Sequence, residues 1–492
     1  MIFFGLDIGS SGCKCAAFTE DGRLVSENAV EYLKSGGVRG IDPNVLYADV
    51  CRTVAGCSSK INLHGQKAAL AVSSFGESFA AFDKDGNALS EIVMYTETGC
   101  EEETRRLSEI LPDLPYITGA GPAAMYALPK MSLMMQNRPE VNKKAARFFQ
   151  VADYIIFKLC GEAAIDYSLA SRALAFDIKN KKWSEKILHT AGLGGVKLSE
   201  PVPSGTVVGI IKKSAAEAAG LPPGTLIAAG AHDQIAAAVG AGVISPGEAA
   251  VGTGSVECIT PVFDRPVTEH KNTFGVSSFK MFTENNYACV PFAEDGCYAT
   301  YAFTMSGGAL VKWFKNLTGR GSYALFDRNM PSAVTDVIAV PFFLGTGTPE
   351  MNPDMFGTIS GMTISTTKYE IYRAILEGLS FELRHNREIL AECGINFCSL
   401  RAAGGGAKSA KWLQIKADIL GVPITGLTTT ETGAMGGAML AAVKTGAFSS
   451  LKEAAECFVK TKKTYSPNLK TKEIYEKKYL KYLKERNKLF SQ

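Results

Sequence analysis

The chain has no Cys-x-x-Cys pair, and its 12 cysteines follow no regular spacing. Cys13 and Cys15 share one face of a strand, but no histidine lies near them in sequence. That is too few ligands for a metal centre, so reduced, buried thiols in a cytoplasmic protein are expected. No apolar run reaches membrane-spanning length. The stretch 226–244 comes nearest, and it is interrupted by His232 and Asp233 and rich in Gly and Ala. The opening residues MIFFGLDIGSSG lack a basic segment followed by an apolar run and a small-residue cleavage site, which argues against a signal peptide. Charge of one sign is also missing. With 52 Lys and Arg against 49 Asp and Glu, the net charge of +3 gives no electrostatic case for nucleic acid. The basic bias between Lys460 and Lys488 reads as a solvated helix face. Two nucleotide signatures are absent as well. No glycine turn has the Lys-Ser or Lys-Thr directly after its last glycine that a P-loop needs, and none is a GxGxxG with an acid about 20 residues on. A P-loop enzyme and a nicotinamide dehydrogenase are therefore disfavoured.

What is present points to a large α/β protein. At 492 residues the chain exceeds one hydrophobic core, so two domains are expected. Ile2–Leu6 and Cys13–Phe18 read as strands flanking the small-residue turn Asp7–Gly12. The pattern recurs as Ala249–Val251, the turn Gly252-Thr253-Gly254-Ser255, and Val256–Thr260. Two copies of one unit suggest two related domains, 1–245 and 246–492, with the Ser245–Glu248 turn at the boundary. Helices are expected over Glu101–Leu111, Lys130–Gln136, Ile235–Val243, Ser306–Lys315, Lys368–Cys393, Ala410–Leu420 and Gly433–Lys444, alternating with strands at Ala68–Ser73, Leu226–Ala231 and Ser399–Ala403. A last helix, about Lys470 to Leu489, carries Tyr475, Tyr479, Tyr482 and Leu483 on one stripe that reads as docked core.

Three glycine-rich turns each follow a short apolar strand: Asp7–Gly12, Gly252–Ser255 and Gly404–Ala407. Such turns let backbone N–H groups and Ser/Thr hydroxyls approach phosphate oxygens. Two acids sit where acids are unusual. Asp7 ends an apolar strand at a phosphate-type turn, a position suited to Mg²⁺ beside a nucleotide. Asp233 follows the strand Leu226–Ala231. It is open to two readings, a proton acceptor for a substrate hydroxyl or the N-cap of the helix that follows. His232 reads as a packing or hydrogen-bonding neighbour.

With these residues in place, the chain resembles the FGGY carbohydrate kinases from residue 2 to about 480. Gly5-Leu6-Asp7-Ile8-Gly9-Ser10-Ser11 is similar to their first phosphate segment, Gly230-Ala231-His232-Asp233-Gln234 to the segment of the catalytic aspartate, and Gly252–Ser255 to the second phosphate segment. Gly357-x-Ile359-x-Gly361-Met362, then Glu370-Ile371-x-x-Ala374-Ile375-Leu376-Glu377, fits a family signature in full. Ser306-Gly307-Gly308 resembles a helix start near the nucleotide. Gly404–Ser409 with Trp412-Leu413-Gln414 resembles the adenosine segment, and Asp166-x-Ser168-x-Ala170-Ser171 is also family-like.

The resemblance implies two actin-like (ribonuclease H-like) domains with an interdomain cleft, and ATP-dependent, Mg²⁺-assisted phosphorylation of a small sugar or polyol hydroxyl. It implies Asp233 as base and Asp7 at the metal. Ser10, Ser11, Lys14, Gly252, Thr253, Gly254, Gly308, Gly405, Gly406, Ala407 and Lys411 would hold ATP. Glu77, Ser78, Glu97, Asp233 and Gln234 would hold the acceptor. A homodimer is compatible with it, and neither nucleic acid nor membrane is an expected partner. The alternative is a catalytically inactive, regulatory nucleotide- or sugar-binding protein of the same fold. The acceptor side departs from familiar members. In Ser73–Ser78, Gly76 stands where glycerol kinases carry arginine, while Glu77 keeps the carboxylate. Tyr95-Thr96-Glu97-Thr98-Gly99 stands where many members have Trp-x-Asp-x-Arg.

Overall fold

The computed structural model describes residues 1–32, 40–269, 271, 277–319 and 321–491. The chain divides into two compact units, and the division is not a single cut. The first unit comprises Met1–Ile244, Cys289–Ala299 and Glu431–Val459; the second comprises Ser245–Ala288, Thr300–Thr430 and Lys460–Gln492.

In the first unit the strand Ile2–Ile8 is apolar on both faces, as a strand covered on both sides requires. On one edge it pairs antiparallel with Gly12–Phe18, which pairs antiparallel with Leu24–Glu31. On the other it pairs in parallel with Ala68–Ser74, and that strand pairs in parallel with Leu226–His232. Val207–Ile210 closes the sheet, antiparallel to Leu226–His232. The second unit repeats this order. Glu248–Thr253 pairs antiparallel with Glu257–Phe263, which pairs antiparallel with Ala302–Thr304. Its other edge runs in parallel to Ser399–Gly404 and then Ile424–Leu427, with Thr461–Tyr465 antiparallel at the end. The echo between residues 2–18 and 249–260 thus falls on the equivalent hairpin of each sheet.

Small residues decide how the first unit packs. The helix Thr432–Lys444 lies on Ile2–Ile8 and against the helix Asp233–Gly240. A Cβ at Gly436 would overlap the Ala236 carbonyl oxygen, and one at Gly240 would overlap that of Thr432. The two backbones meet at a separation that only glycine permits. Gly436→Ala should therefore cost about 1–3 kcal/mol through overpacking, read as a lowered thermal midpoint. A wild-type midpoint would show that the helices part without cost.

In the second unit the long helix Lys368–Glu392 starts with a capping box between Thr367 and Glu370. The last helix, Leu469–Leu489, buries Tyr475, Tyr479 and Tyr482 against the same core, with Leu483 packed beside them. That is the expected stripe. Among the described residues no helix is long and apolar enough to cross a membrane.

Candidate active site

Each unit carries one set of candidate residues. In the first, the strand Leu226–His232 has an irregular register between Ala229 and His232. The backbone groups freed there are satisfied by hydroxyls. Ala231 N–H donates to Ser73 Oγ at 3.1 Å and His232 N–H to Ser168 Oγ at 2.8 Å. Ser168 in turn donates to Asp166 Oδ2 at 2.7 Å, and Asp166 caps the short helix Tyr167–Ser171. The family-like Asp166-x-Ser168 pair therefore anchors the segment that presents Asp233.

The helix after that strand begins at Asp233, and its N-cap is His232, whose side chain accepts the Gln234 N–H. The capping alternative for Asp233 is thus corrected. The imidazole takes the cap, which leaves the carboxylate for other work. Asp233 is 28% exposed at its side chain. Its Oδ1 is buried without a hydrogen-bond partner among the described residues, 3.2 Å from His232 Nδ1. Burial, with Asp7 and Glu77 adding like charge, pushes the Asp233 carboxyl up to about 8. Burial holds the His232 imidazole well below its ordinary range, so it stays neutral.

Asp7 faces Lys14 across the hairpin register. Burial, offset by Lys14 and reinforced by Glu431, raises its carboxyl to about 6. Lys14 Nζ donates to Glu431 Oε2 at 2.9 Å. Ser10 and Ser11 are exposed at the turn. Among the described residues no three His, Cys, Asp or Glu side chains converge as a metal cluster. Asp7, a hard oxygen donor at the phosphate-type turn, suits Mg²⁺, which uses one or two carboxylates and takes its other ligands from phosphate and water.

Of the residues expected at the acceptor, Glu77 lies close enough to Asp233 to add like charge to it. Glu77 is buried, in a left-handed backbone conformation at φ 62°, and accepts Arg172 Nε at 2.5 Å. Arg172 lies over the Tyr126 ring at 4.9 Å. Ser78 Oγ accepts Tyr95 N–H at 2.9 Å, and Glu97 Oε1 accepts Met94 N–H at 3.3 Å, so both shape the loop that carries Tyr95. Gln234 is half-buried one residue beyond Asp233.

The second unit holds a cavity of about 620 Å³. Thr253, Gly254, Gly308, Gly405 and Gly406 line it together with Tyr323, Asp327, Tyr372 and Trp412. Gly252, Ala407 and Lys411 lie outside the lining, and Lys411 Nζ donates instead to the Met330 carbonyl at 3.2 Å. Two glycines are dictated by the turns. Gly404 has φ 78°, and a Cβ at Gly308 would overlap the Gly254 carbonyl oxygen. The helix Gly307–Leu317 starts at this wall, where its Gly308 and Ala309 N–H groups donate to the Gly254 and Ser255 carbonyls at 2.9 and 3.0 Å and tie the helix to the turn. Thr253 Oγ1 is already engaged. It donates to Glu257 Oε1 at 2.5 Å and accepts Lys416 Nζ at 2.9 Å. Lys416 is ion-paired with Glu257, and both side chains are 0% exposed.

Sequence reasoning does not single out Arg172, Tyr126, Tyr323, Asp327, Tyr372 or Lys416. For Arg172 a signal existed: one arginine in the otherwise small and apolar run 169–176. The others belong to no local pattern.

A fold of two matching α/β units, one with a carboxylate poised beside a polar cluster and one with a glycine-walled cavity, is that of a phosphotransferase of the actin-like class. Two family models match the chain: the N-terminal domain of the FGGY family of carbohydrate kinases over residues 2–240, and the C-terminal domain over residues 271–445. The chain belongs to the FGGY family of carbohydrate kinases. It is 26% identical over 480 residues to a xylulose kinase of Bacillus subtilis, covering 96% of this chain and 94% of that protein. A gluconokinase of Bacillus licheniformis is 26% identical over 457 residues, covering 91% and 88%. A ligand-bound xylulose kinase structure from Lactobacillus acidophilus superposes with a TM-score of 0.87 at 21% identity, covering 100% and 99%, and shows the shared fold.

Proposed function

We propose that this kinase transfers the γ-phosphoryl group of ATP to a hydroxyl of a ketose or polyol of three to six carbons, with Asp233 as the base. Asp233 accepts the hydroxyl proton as the oxygen attacks phosphorus in line. Glu77, with Glu97 and Gln234, orients the acceptor hydroxyls, since carboxylates and amides pair with vicinal hydroxyls. The glycine-walled cavity with Gly254, Gly308, Gly405 and Gly406 holds the nucleotide, and the Ser10-Ser11 turn offers hydroxyls to phosphate. Asp7 would hold Mg²⁺, which supplies charge neutralisation at the phosphate oxygens. The observation that carries this reading is the buried, unpartnered Oδ1 of Asp233, on a carboxyl whose affinity for a proton is already raised. ADP release with ATP and Mg²⁺ across a panel of trioses, tetroses, pentoses, hexoses and their polyols tests it. Acceptor-dependent ADP is the expected result, and nucleotide binding without ADP from any acceptor would reject it.

A pH profile follows from the same group. A raised carboxyl keeps its proton below its midpoint, and a protonated Asp233 cannot act as base. With Asp233 at about 8 in the free protein, kcat/KM should climb about tenfold per pH unit through the acid side and level off above that value. A flat kcat/KM between pH 6 and pH 9 would place the midpoint of the carboxyl below that range, and the activity of Asp233→Asn would then decide the role.

A further inference from the structure

Cys13 and Cys15, on one face of a strand, have no part in phosphoryl transfer, and the fold gives each a different neighbour. The helix Pro43–Ser58 lies on the strands Gly12–Phe18 and Leu24–Glu31. Three contacts fix its register. Cys13 Sγ lies 2.8 Å from Thr53 Oγ1, Asn28 Nδ2 donates to the Thr53 carbonyl at 3.3 Å, and Ser26 Oγ donates to the Cys57 carbonyl at 2.7 Å. Four helical residues advance about 6 Å, and two strand residues about 7 Å. A helix that meets Cys13 at Thr53 therefore meets Cys15 one turn later, at Cys57. The two thiols are hydrogen-bonded to one another.

The pair is unequal. The hydrogen bond from Cys15, with Ser26 and Lys60 adding to it, holds the Cys57 thiol below its ordinary range against the effect of burial. The same bond, with burial, holds Cys15 well above its own. Cys57 is thus the thiolate of the two and Cys15 its proton donor. Both residues are buried, at 0% and 1% exposed, which shuts out bulky reagents. Cys57 nevertheless stands in the last turn of its helix, two residues from the exposed Ser59 and Lys60, where helices fray. Hydrogen peroxide, close to water in size, suits that route. Lys14, between Cys13 and Cys15, points to the opposite face of the strand.

We propose that Cys15 and Cys57 form a modification site at which a peroxide makes a reversible disulfide, stapling the helix Pro43–Ser58 to the hairpin that carries Asp7. The Cys57 thiolate attacks one peroxide oxygen and the O–O bond breaks. The departing hydroxide takes a proton and leaves as water, and Cys57 becomes a sulfenic acid. The Cys15 sulfur then attacks the Cys57 sulfur, the S–O bond breaks, and the second hydroxide leaves as water. In sum, two thiols give up two electrons and two protons, and one peroxide becomes two waters. A dithiol reductant reverses the bond by thiol–disulfide exchange. The proposal is independent of the phosphotransfer reading.

The test treats the folded full chain with hydrogen peroxide, alkylates the remaining thiols in denaturant, and cuts with trypsin. Cleavage after Lys14, Arg23, Arg52 and Lys60 puts Cys15 in the peptide 15–23 and Cys57 in the peptide 53–60, with Cys13 and Cys51 in others. The expected product is the two peptides joined, lighter than their sum by two hydrogens and split by dithiothreitol. A bond across this loop restricts the unfolded chain, so the oxidised protein should melt about 5–10 °C above the reduced one. Cys57→Ser should lose both the joined peptide and the rise in midpoint. If that variant fails to fold, the peptide map and the two midpoints of the wild type still decide. Both thiols recovered alkylated after peroxide, Cys57 halted at sulfinic acid, or Cys57 joined to any other cysteine would overturn the assignment. A 15–57 bond that left the midpoint unchanged or lowered it would overturn the staple.

Discussion

Asp233→Asn should reduce acceptor-dependent ADP formation by about a hundredfold to ten-thousandfold, the range over which a general base contributes, while nucleotide affinity stays near that of the wild type. The amide keeps the size and the first-turn position of the carboxylate, so the helix Asp233–Gly240 remains capped by His232 and the fold is undisturbed. What it loses is the lone pair that takes the proton. Nucleotide affinity should hold because the cavity lined by Thr253, Gly254, Gly308, Gly405, Gly406 and Trp412 belongs to the other unit. Single-turnover kinetics beside an ATP-binding isotherm would read both quantities. Wild-type turnover in this variant would end the assignment of the base.

Lys416→Met should strongly destabilise the second unit. Lys416 and Glu257 are fully buried partners behind the Gly252–Ser255 turn, and Lys416 also lies 4.1 Å from the Trp412 ring centre. Burial lowers the affinity of the Lys416 amine for its proton and Glu257 counters the shift. Removing the ammonium strands a carboxylate whose second oxygen, Oε2, already has no partner among the described residues. Breaking one half of such a pair costs about 3–5 kcal/mol. Replacing both halves, as Lys416→Met with Glu257→Gln, should recover much of that loss. Denaturant midpoints of the two single variants and the double would show the non-additivity. Additive losses would mean the two groups act independently. Thr253 Oγ1 bonds to both members, so Lys416→Met should also weaken nucleotide binding through a loosened turn.

Much of this was legible from the residues, because the elements that carry it have local signatures. The helix Ala410–Leu420 follows a serine cap and ends at Gly421, and its limits are those expected from the sequence. The strands at 2–18 and 249–260 alternate apolar runs with small-residue turns, which made the duplicated hairpin visible. The register irregularity before His232 was not legible, because it depends on hydroxyls at positions 73 and 168 that only the fold brings together. The cap at His232 was hidden for a related reason. Aspartate is the stronger capping residue by propensity, and the sequence offers both side by side. Arg172 lies 95 positions from Glu77, and no spacing rule connects them. The segment Glu431–Val459 carries helical signals that say nothing about which sheet it covers.

That last placement bears on synthesis. The helix Thr432–Lys444 covers Ile2–Ile8, a strand synthesised more than four hundred residues before it. Until more than four hundred further residues have been added, that early sheet waits with one face unshielded. A nascent chain in that state is exposed to misassembly and is the kind of client that holding chaperones bind. Transplanting the segment 431–459 ahead of residue 1 through a flexible linker would give the first unit its cover at the outset, and the yield of native protein made without chaperones should rise.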